Sequence, residues 1–182
     1  MKGFERENLL FSLCGLNCGL CVMRLGNYCP GCGGGEGNQS CKIARCSMEH
    51  GNPMYCFQCE AYPCERYAGE DAWDGFISSR NRKRDLEKAR DIGLDAYNAE
   101  QREKVEILRF LLARCNDGRR KSLFSLAVNL LDLEELRHVL RPIREKIEEE
   151  DASLRESAAF AAEQLQAAAK KRGIELKLRR KK

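Results

Sequence analysis

The chain has 182 residues, 33% of them charged and 43% hydrophobic, with a formal net charge of +4. Those proportions fit a folded globular protein and exclude a disordered one. No run approaches the roughly 18 apolar residues of a membrane span, so no membrane partner is expected. The first residues, Met1-Lys2-Gly3-Phe4-Glu5-Arg6-Glu7-Asn8, put charge where a signal peptide puts its apolar segment, and a cytoplasmic location is expected.

Eleven cysteines dominate the pattern, ten of them between Cys14 and Cys64. Their order is Cys14, Cys18, Cys21, Cys29, Cys32, Cys41, Cys46, Cys56, Cys59 and Cys64. Three pairs are C-x2-C (Cys18/Cys21, Cys29/Cys32, Cys56/Cys59), and two are C-x4-C (Cys41/Cys46, Cys59/Cys64). Such spacing turns two thiolates toward one point, which a tetrahedral cation about 2.3 Å from sulfur can occupy. Gly33 and Gly34 after Cys32 allow the tight turn this requires. The segment is poor in apolar residues, and ordering it costs about 1–2 kcal/mol per residue in backbone entropy. Metal or disulfides must therefore cross-link it. Disulfides are disfavoured in a chain without an export signal. Structural zinc takes four ligands per closed site, so ten cysteines supply two sites and leave a pair over. An iron–sulfur cluster also takes four cysteines and stays open as the alternative.

Cys14-Gly15-Leu16-Asn17-Cys18-Gly19-Leu20-Cys21 is similar to the cluster motif of radical S-adenosylmethionine enzymes. The strand–helix alternation of their barrel does not follow it here. His50 lies between ligand pairs and is read as a solvated loop residue rather than a ligand; His138 is read as surface. The glycine-rich run Gly33-Gly34-Gly35-Glu36-Gly37 lacks the Gly-Lys-Ser/Thr ending of a phosphate loop. No Ser–His–Asp set or paired-carboxylate site stands out, which puts binding or scaffolding ahead of catalysis. Arg24, Lys42 and Arg45 are the cations expected beside the sulfurs.

Beyond Tyr67 the composition turns to Glu, Lys, Arg, Leu and Ala, and the domain boundary is set there: a Cys-rich module over 1–67, an α-helical domain over 68–182. Val105, Leu108, Leu112 and Cys115 recur at helical spacing, with Cys115 as a small core residue, and Asn116-Asp117-Gly118 stops that helix. Leu123 to Leu131 form a more apolar helix. Asp132 and Glu135 resemble a capping box for a helix carrying Leu136, Val139, Leu140, Ile143 and Ile147, with Pro142 as a kink or a fresh start. Leu154, Ala158, Ala161, Leu165 and Ala168 continue the pattern to Gly173. Ile174, Leu176 and Leu178 alternate with polar residues and suggest a short terminal strand. Residues 170–182 hold eight basic residues and one acidic, and Arg80-Asn81-Arg82-Lys83-Arg84 is a second basic cluster. Neither supports a nucleic-acid partner by itself, because no aromatic residues interleave the tail as single-strand stacking requires. A protein partner is left open.

The cysteine-bearing segments, together with Cys29-Pro30-Gly31-Cys32, Cys56-Phe57-Gln58-Cys59 and Tyr62-Pro63-Cys64, resemble a cysteine-rich family of bacteria and archaea. Zinc binding is ascribed to that family and no activity is assigned to it. The resemblance covers about residues 9–67 and implies metal binding through the ten cysteines. The expected architecture is mainly α: a small, irregular, metal-stapled module followed by helices. The expected function is zinc binding with the metal structural, in a binding, scaffolding or regulatory module. An iron–sulfur redox or redox-accessory protein and a zinc storage or delivery protein are the alternatives.

Overall fold

Residues 3–35, 41–69, 72–149 and 152–180 are described by the computed structural model. Glu36 and Gly37 of the glycine-rich run and Lys181-Lys182 of the tail lie outside the described residues. The helices are α1 (Val22–Leu25), α2 (Lys42–Glu49), α3 (Arg82–Ile92), α4 (Leu94–Arg114), α5 (Lys121–Leu130), α6 (Leu133–Glu149) and α7 (Leu154–Lys171). Three 3-10 turns, Cys18–Leu20, Cys56–Gln58 and Glu65–Tyr67, punctuate the cysteine segment. The protein is mainly helical, and no strand occurs among the described residues.

The chain divides into two compact units, residues 1–101 with 179–182, and residues 102–178. The composition change at Tyr67 is therefore not a packing boundary. The first unit's core joins Phe11, Leu13, Ile43, Ala44, Tyr55 and Tyr67 to Leu86 and Ala89 of α3 and Tyr97 of α4. The reason is aromatic. Phe11 packs on Tyr55 and Tyr97 at ring-centroid distances of 5.4 and 4.6 Å, and Tyr55 stacks on Phe57 at 5.6 Å. The cysteine loops bring rings but few aliphatic side chains, so they take Leu86 and Ala89 from a neighbouring helix. Gly15 makes the approach possible: at φ +89°, a Cβ there would stand 2.3 Å from Arg82 O and 2.7 Å from Leu86 Cγ.

A buried carboxylate completes this joint. Asp85 Oδ2 accepts from Asn17 Nδ2 at 2.6 Å and Asn81 Nδ2 at 2.5 Å, while Tyr97 Oη donates to Asn17 Oδ1 at 2.9 Å. Burial and the adjoining Asp85 charge hold the Tyr97 hydroxyl in its protonated form, its pKa raised. A buried polar group is tolerated when it is hydrogen-bonded, and this one links the first cysteine loop to α3.

In the second unit the apolar stripes predominate. Val105, Leu108, Leu111 and Cys115 of the α4 stripe are buried, with Leu112 only half-buried. Gly118, at φ +87°, lies between α4 and α5. Lys104, itself buried, donates from Nζ to Leu131 O at 2.7 Å, satisfying a carbonyl at the negative end of α5. α6 runs unbroken through Pro142, which neither kinks it into two elements nor starts a new one. An interior proline costs about 3 kcal/mol; burial of Leu136, Leu140 and Ile143 on both sides offsets it. Glu135 accepts from the Asp132 N–H at 2.9 Å. α7 opens on a full capping box between Ser153 and Glu156, and packs Ala158, Ala161, Ala162, Leu165 and Ala169 against α5 and α6. Leu154 is exposed and Ala169 replaces Ala168 in the stripe, as a 3.6-residue period dictates. Ile174, Leu176 and Leu178 are half-buried and their polar neighbours exposed, but no strand forms there. The alternation is real and the ladder partner is missing among the described residues.

Candidate metal centre

The ten cysteines predicted as ligands all lie in the first unit, and all are free thiols. The short 3-10 turns at Cys18 and Cys56 close C-x2-C loops, with the Cys21 N–H on Cys18 O at 3.1 Å and the Cys59 N–H on Cys56 O at 3.0 Å. Two neighbourhoods result. In the first, Cys14, Cys21 and Cys32 lie close enough to Cys18 to raise its pKa by charge. Burial is the larger cause and pushes the Cys18 thiol up to about 12. The Cys32 N–H points at the Cys18 sulfur and the Leu13 N–H at the Cys32 sulfur, and both favour thiolate.

In the second neighbourhood Cys46, Cys56, Cys59 and Cys64 line one small cavity with His50, Pro53, Tyr62 and Tyr67. Its volume is about 30 Å³, the share of one water molecule. Burial pushes the Cys56 thiol up to about 12, with the charges of Cys14, Cys64 and Cys46 adding to it. The Tyr67 hydroxyl donates to the Cys56 sulfur and opposes that rise. The same hydroxyl stands 3.5 Å from Cys14 O, so Tyr67 bridges the two neighbourhoods. His50 closes α2 with Nδ1 2.8 Å from Cys46 O and 3.7 Å from Cys46 Sγ. A carbonyl oxygen only accepts, so Nδ1 is the donor in this contact.

The remaining two cysteines differ. Cys29 is half-buried after α1, its N–H on Met23 O at 3.2 Å. Cys41 is exposed at the N-terminus of α2, beside an open groove of about 910 Å³ that also reaches Cys14, Cys46, Cys59, Cys64 and His50. Among the described residues no three His, Cys, Asp or Glu side chains converge closely enough to hold a metal ion as they stand.

The cation against Cys32 is Arg6, a residue that cysteine spacing does not point to, while Lys42, as expected, borders the groove that reaches Cys14, Cys41 and Cys46. The Arg6 guanidinium, against Cys32, lowers the pKa that burial raises. Arg6 also donates to Phe11 O at 2.9 Å and Met54 O at 2.8 Å and lies 4.7 Å over the Tyr55 ring. Gly33, at φ +80°, makes room for it: a Cβ there would stand 2.8 Å from Arg6 Cγ. Of the cations expected in this role, Lys42 and Arg45 are exposed, and Arg24 turns its Nε toward Gly31. Cys115 lies buried in the second unit, and burial pushes its thiol up to about 11, the behaviour of a core residue. His138 is exposed on α6 with Nδ1 2.8 Å from Glu134 O.

Comparison with family models, with curated proteins and with solved structures gives no match. The chemistry of the sulfurs thus has to be argued from their surroundings alone. A thiolate buried among other thiolates is expensive, and a divalent cation removes that cost by deprotonating the thiols it coordinates.

Proposed function

We propose that this chain is a zinc-binding protein whose metal is structural, in a binding or scaffolding module of the kind its cysteine motifs resemble. The observation that carries the reading is the gathering of the thiols in one unit: Cys14, Cys21 and Cys32 lie around Cys18, while Cys46, Cys56, Cys59 and Cys64 line one cavity, with Cys14 against Cys56 as well. Four sulfur donors suit a tetrahedral zinc, and Cys29 and Cys41 are then the pair left over. The donors fit the ion in kind and number, and the backbone N–H groups of Cys32 and Leu13 donate to the sulfurs of Cys18 and Cys32. Zinc held by four thiolates carries a net charge of about −2 and is a poor Lewis acid. Its contribution is cross-linking.

Metal analysis of anaerobically purified protein tests this. About two zinc ions per chain are expected, with no visible absorption. Cys18→Ser and Cys56→Ser should each remove about one zinc, and Cys29→Ser and Cys41→Ser none. Stoichiometric iron and sulfide with broad visible absorption would establish the iron–sulfur alternative instead.

One observation favours a second reading, zinc delivery. Cys41 is exposed on the groove that reaches three sulfurs of the second group, an arrangement suited to handing a metal on by ligand exchange. Timed release to a chromogenic chelator separates the two: a structural site releases zinc only as the fold opens, a delivery site releases it from the folded protein.

A further inference from the structure

The basic tail lacks interleaved aromatic residues in sequence, and the tertiary structure supplies them. Asp74 is the organiser. Its N–H donates to Arg179 O at 2.8 Å and its Oδ2 accepts from the Arg179 N–H at 2.9 Å, so the C-terminal segment is pinned beside the loop at 72–80. The Asp74 side chain is fully buried, with Oδ1 accepting from Ser78 Oγ at 2.9 Å and the Ser79 N–H at 3.1 Å. Ser79 Oγ in turn donates to Trp73 O at 2.9 Å. Around this satisfied interior the loop turns two large rings outward: Trp73 is 47% exposed and Phe76 70%.

Single apolar residues at a surface need no explanation. Two aromatic rings on a hydrogen-bonded loop, beside a basic segment, are a different matter. Residues 72–84 and 179–182 together carry eight basic residues against Asp74 as the one acid; Arg82 is buried over the Tyr67 ring and Arg80 faces Asp74 Oδ2 at 3.6 Å, so the surface charge comes from the others. Arg179 and Arg180 are exposed, and the Arg84 side chain keeps 45% exposure even beside Asp85. Rings that can stack on bases, flanked by cations that can follow a phosphate backbone, are the two components of sequence-tolerant single-strand recognition. We infer that Trp73, Phe76 and the Arg179–Arg180 segment form a binding surface for single-stranded nucleic acid. A duplex hides the base faces these rings would use, and an anionic membrane offers charge without planar bases.

Trp73 is the only tryptophan in the chain, so tryptophan emission, excited selectively at the red edge beyond tyrosine absorption, reports on this surface alone. The test titrates the full-length protein as purified with oligouridylate and oligothymidylate of about 10 nucleotides, within the usual site size. Saturable quenching at low salt is expected. Phe76→Ala should weaken binding about tenfold by the same signal. Trp73→Ala should do likewise by anisotropy of a labelled strand, both variants keeping the parent circular dichroism. Arg180→Gln should lessen the slope of log affinity against log salt by about 0.7. Unchanged Trp73 emission, or unchanged affinity in Phe76→Ala, overturns the proposal. So does equal affinity for a duplex of the same length or for vesicles of anionic lipid, which would mark attraction to polyanions in general.

Discussion

The second unit hides Leu108, Leu111, Phe124, Leu131, Leu136, Ile143 and Leu165 almost completely, and its helices carry the stripes that do so. The first unit spends residues 3–35 and 41–69 on turns, short helices and ten thiols, and its core joins a few rings, Leu13, Ile43 and Ala44 to Leu86 and Ala89 of α3. Burial alone suffices for the second. The first draws on α3 as well, held by Asp85 and admitted by Gly15, and on the proposed zinc cross-links. A Cys-rich segment is thus not automatically a free-standing module: its helix partner can lie well past the last cysteine.

The largest test of that difference is metal removal. Structural zinc in small modules carries about 10–16 kcal/mol of apparent folding free energy per ion. Chelation should therefore open the whole first unit, α3 included, while α5, α6 and α7 keep their amide protection. Hydrogen exchange reads this segment by segment. Retained protection in Arg82–Ile92 would show α3 to be independent of the cysteine loops, and uniform loss would show one cooperative structure.

Leu165→Ala probes the other side. It empties a fully buried site between α7 and its neighbours and should cost about 2–5 kcal/mol. The denaturation midpoint of the second unit should fall, with the zinc content unchanged. A loss of zinc in this variant would break the separation between the units.

Asp85→Ala addresses the joint inside the first unit. It removes the acceptor of the Asn17 and Asn81 side-chain amides, and a hydrogen bond to a charged group contributes about 1.5–3 kcal/mol. Exchange should quicken in α3 and the Cys14–Cys21 loop together. Faster exchange in α3 alone would mean that Asp85 serves only its own helix.

The smallest effect belongs to the α7 cap. The Ser153 hydroxyl and N–H donate to Glu156 and hold its carboxyl below the usual carboxylate range. A depressed folded pKa gives stability that is present above the unfolded value, about 4.3, and lost as pH falls through the folded one. Ser153→Ala should therefore lower the second unit's thermal midpoint near neutral pH, and the difference from the parent should shrink below about pH 4. A difference that persists in strong acid would assign the cap to the hydroxyl alone.

Much of the second unit was legible in the chain. Val105, Leu108 and Cys115, or Ala158, Ala161 and Leu165, announce a buried face because a 3.6-residue period has few other meanings. The terminal strand that was expected and does not form, and the continuous α6, share one cause: alternation and proline state a preference, and neighbours decide it. Ile174 to Leu178 found no ladder, and Pro142 was outweighed by the leucines and isoleucine around it.

By itself, the order of residues determined that ten thiols would crowd one stretch, that this stretch could not bury a core unaided, and that helices would follow, since spacing and composition are local properties. Only the tertiary structure decided which sulfurs face one another, that Arg6 rather than Arg24, Lys42 or Arg45 stands against Cys32, and that the first unit reaches Gln101. It also decided that Arg179 meets Asp74 beside two exposed rings. Arg6 and Cys32 are 26 positions apart along the chain and Asp74 and Arg179 are 105 apart; such contacts are set by which side chains and backbone groups satisfy each other in space, and no local pattern encodes them.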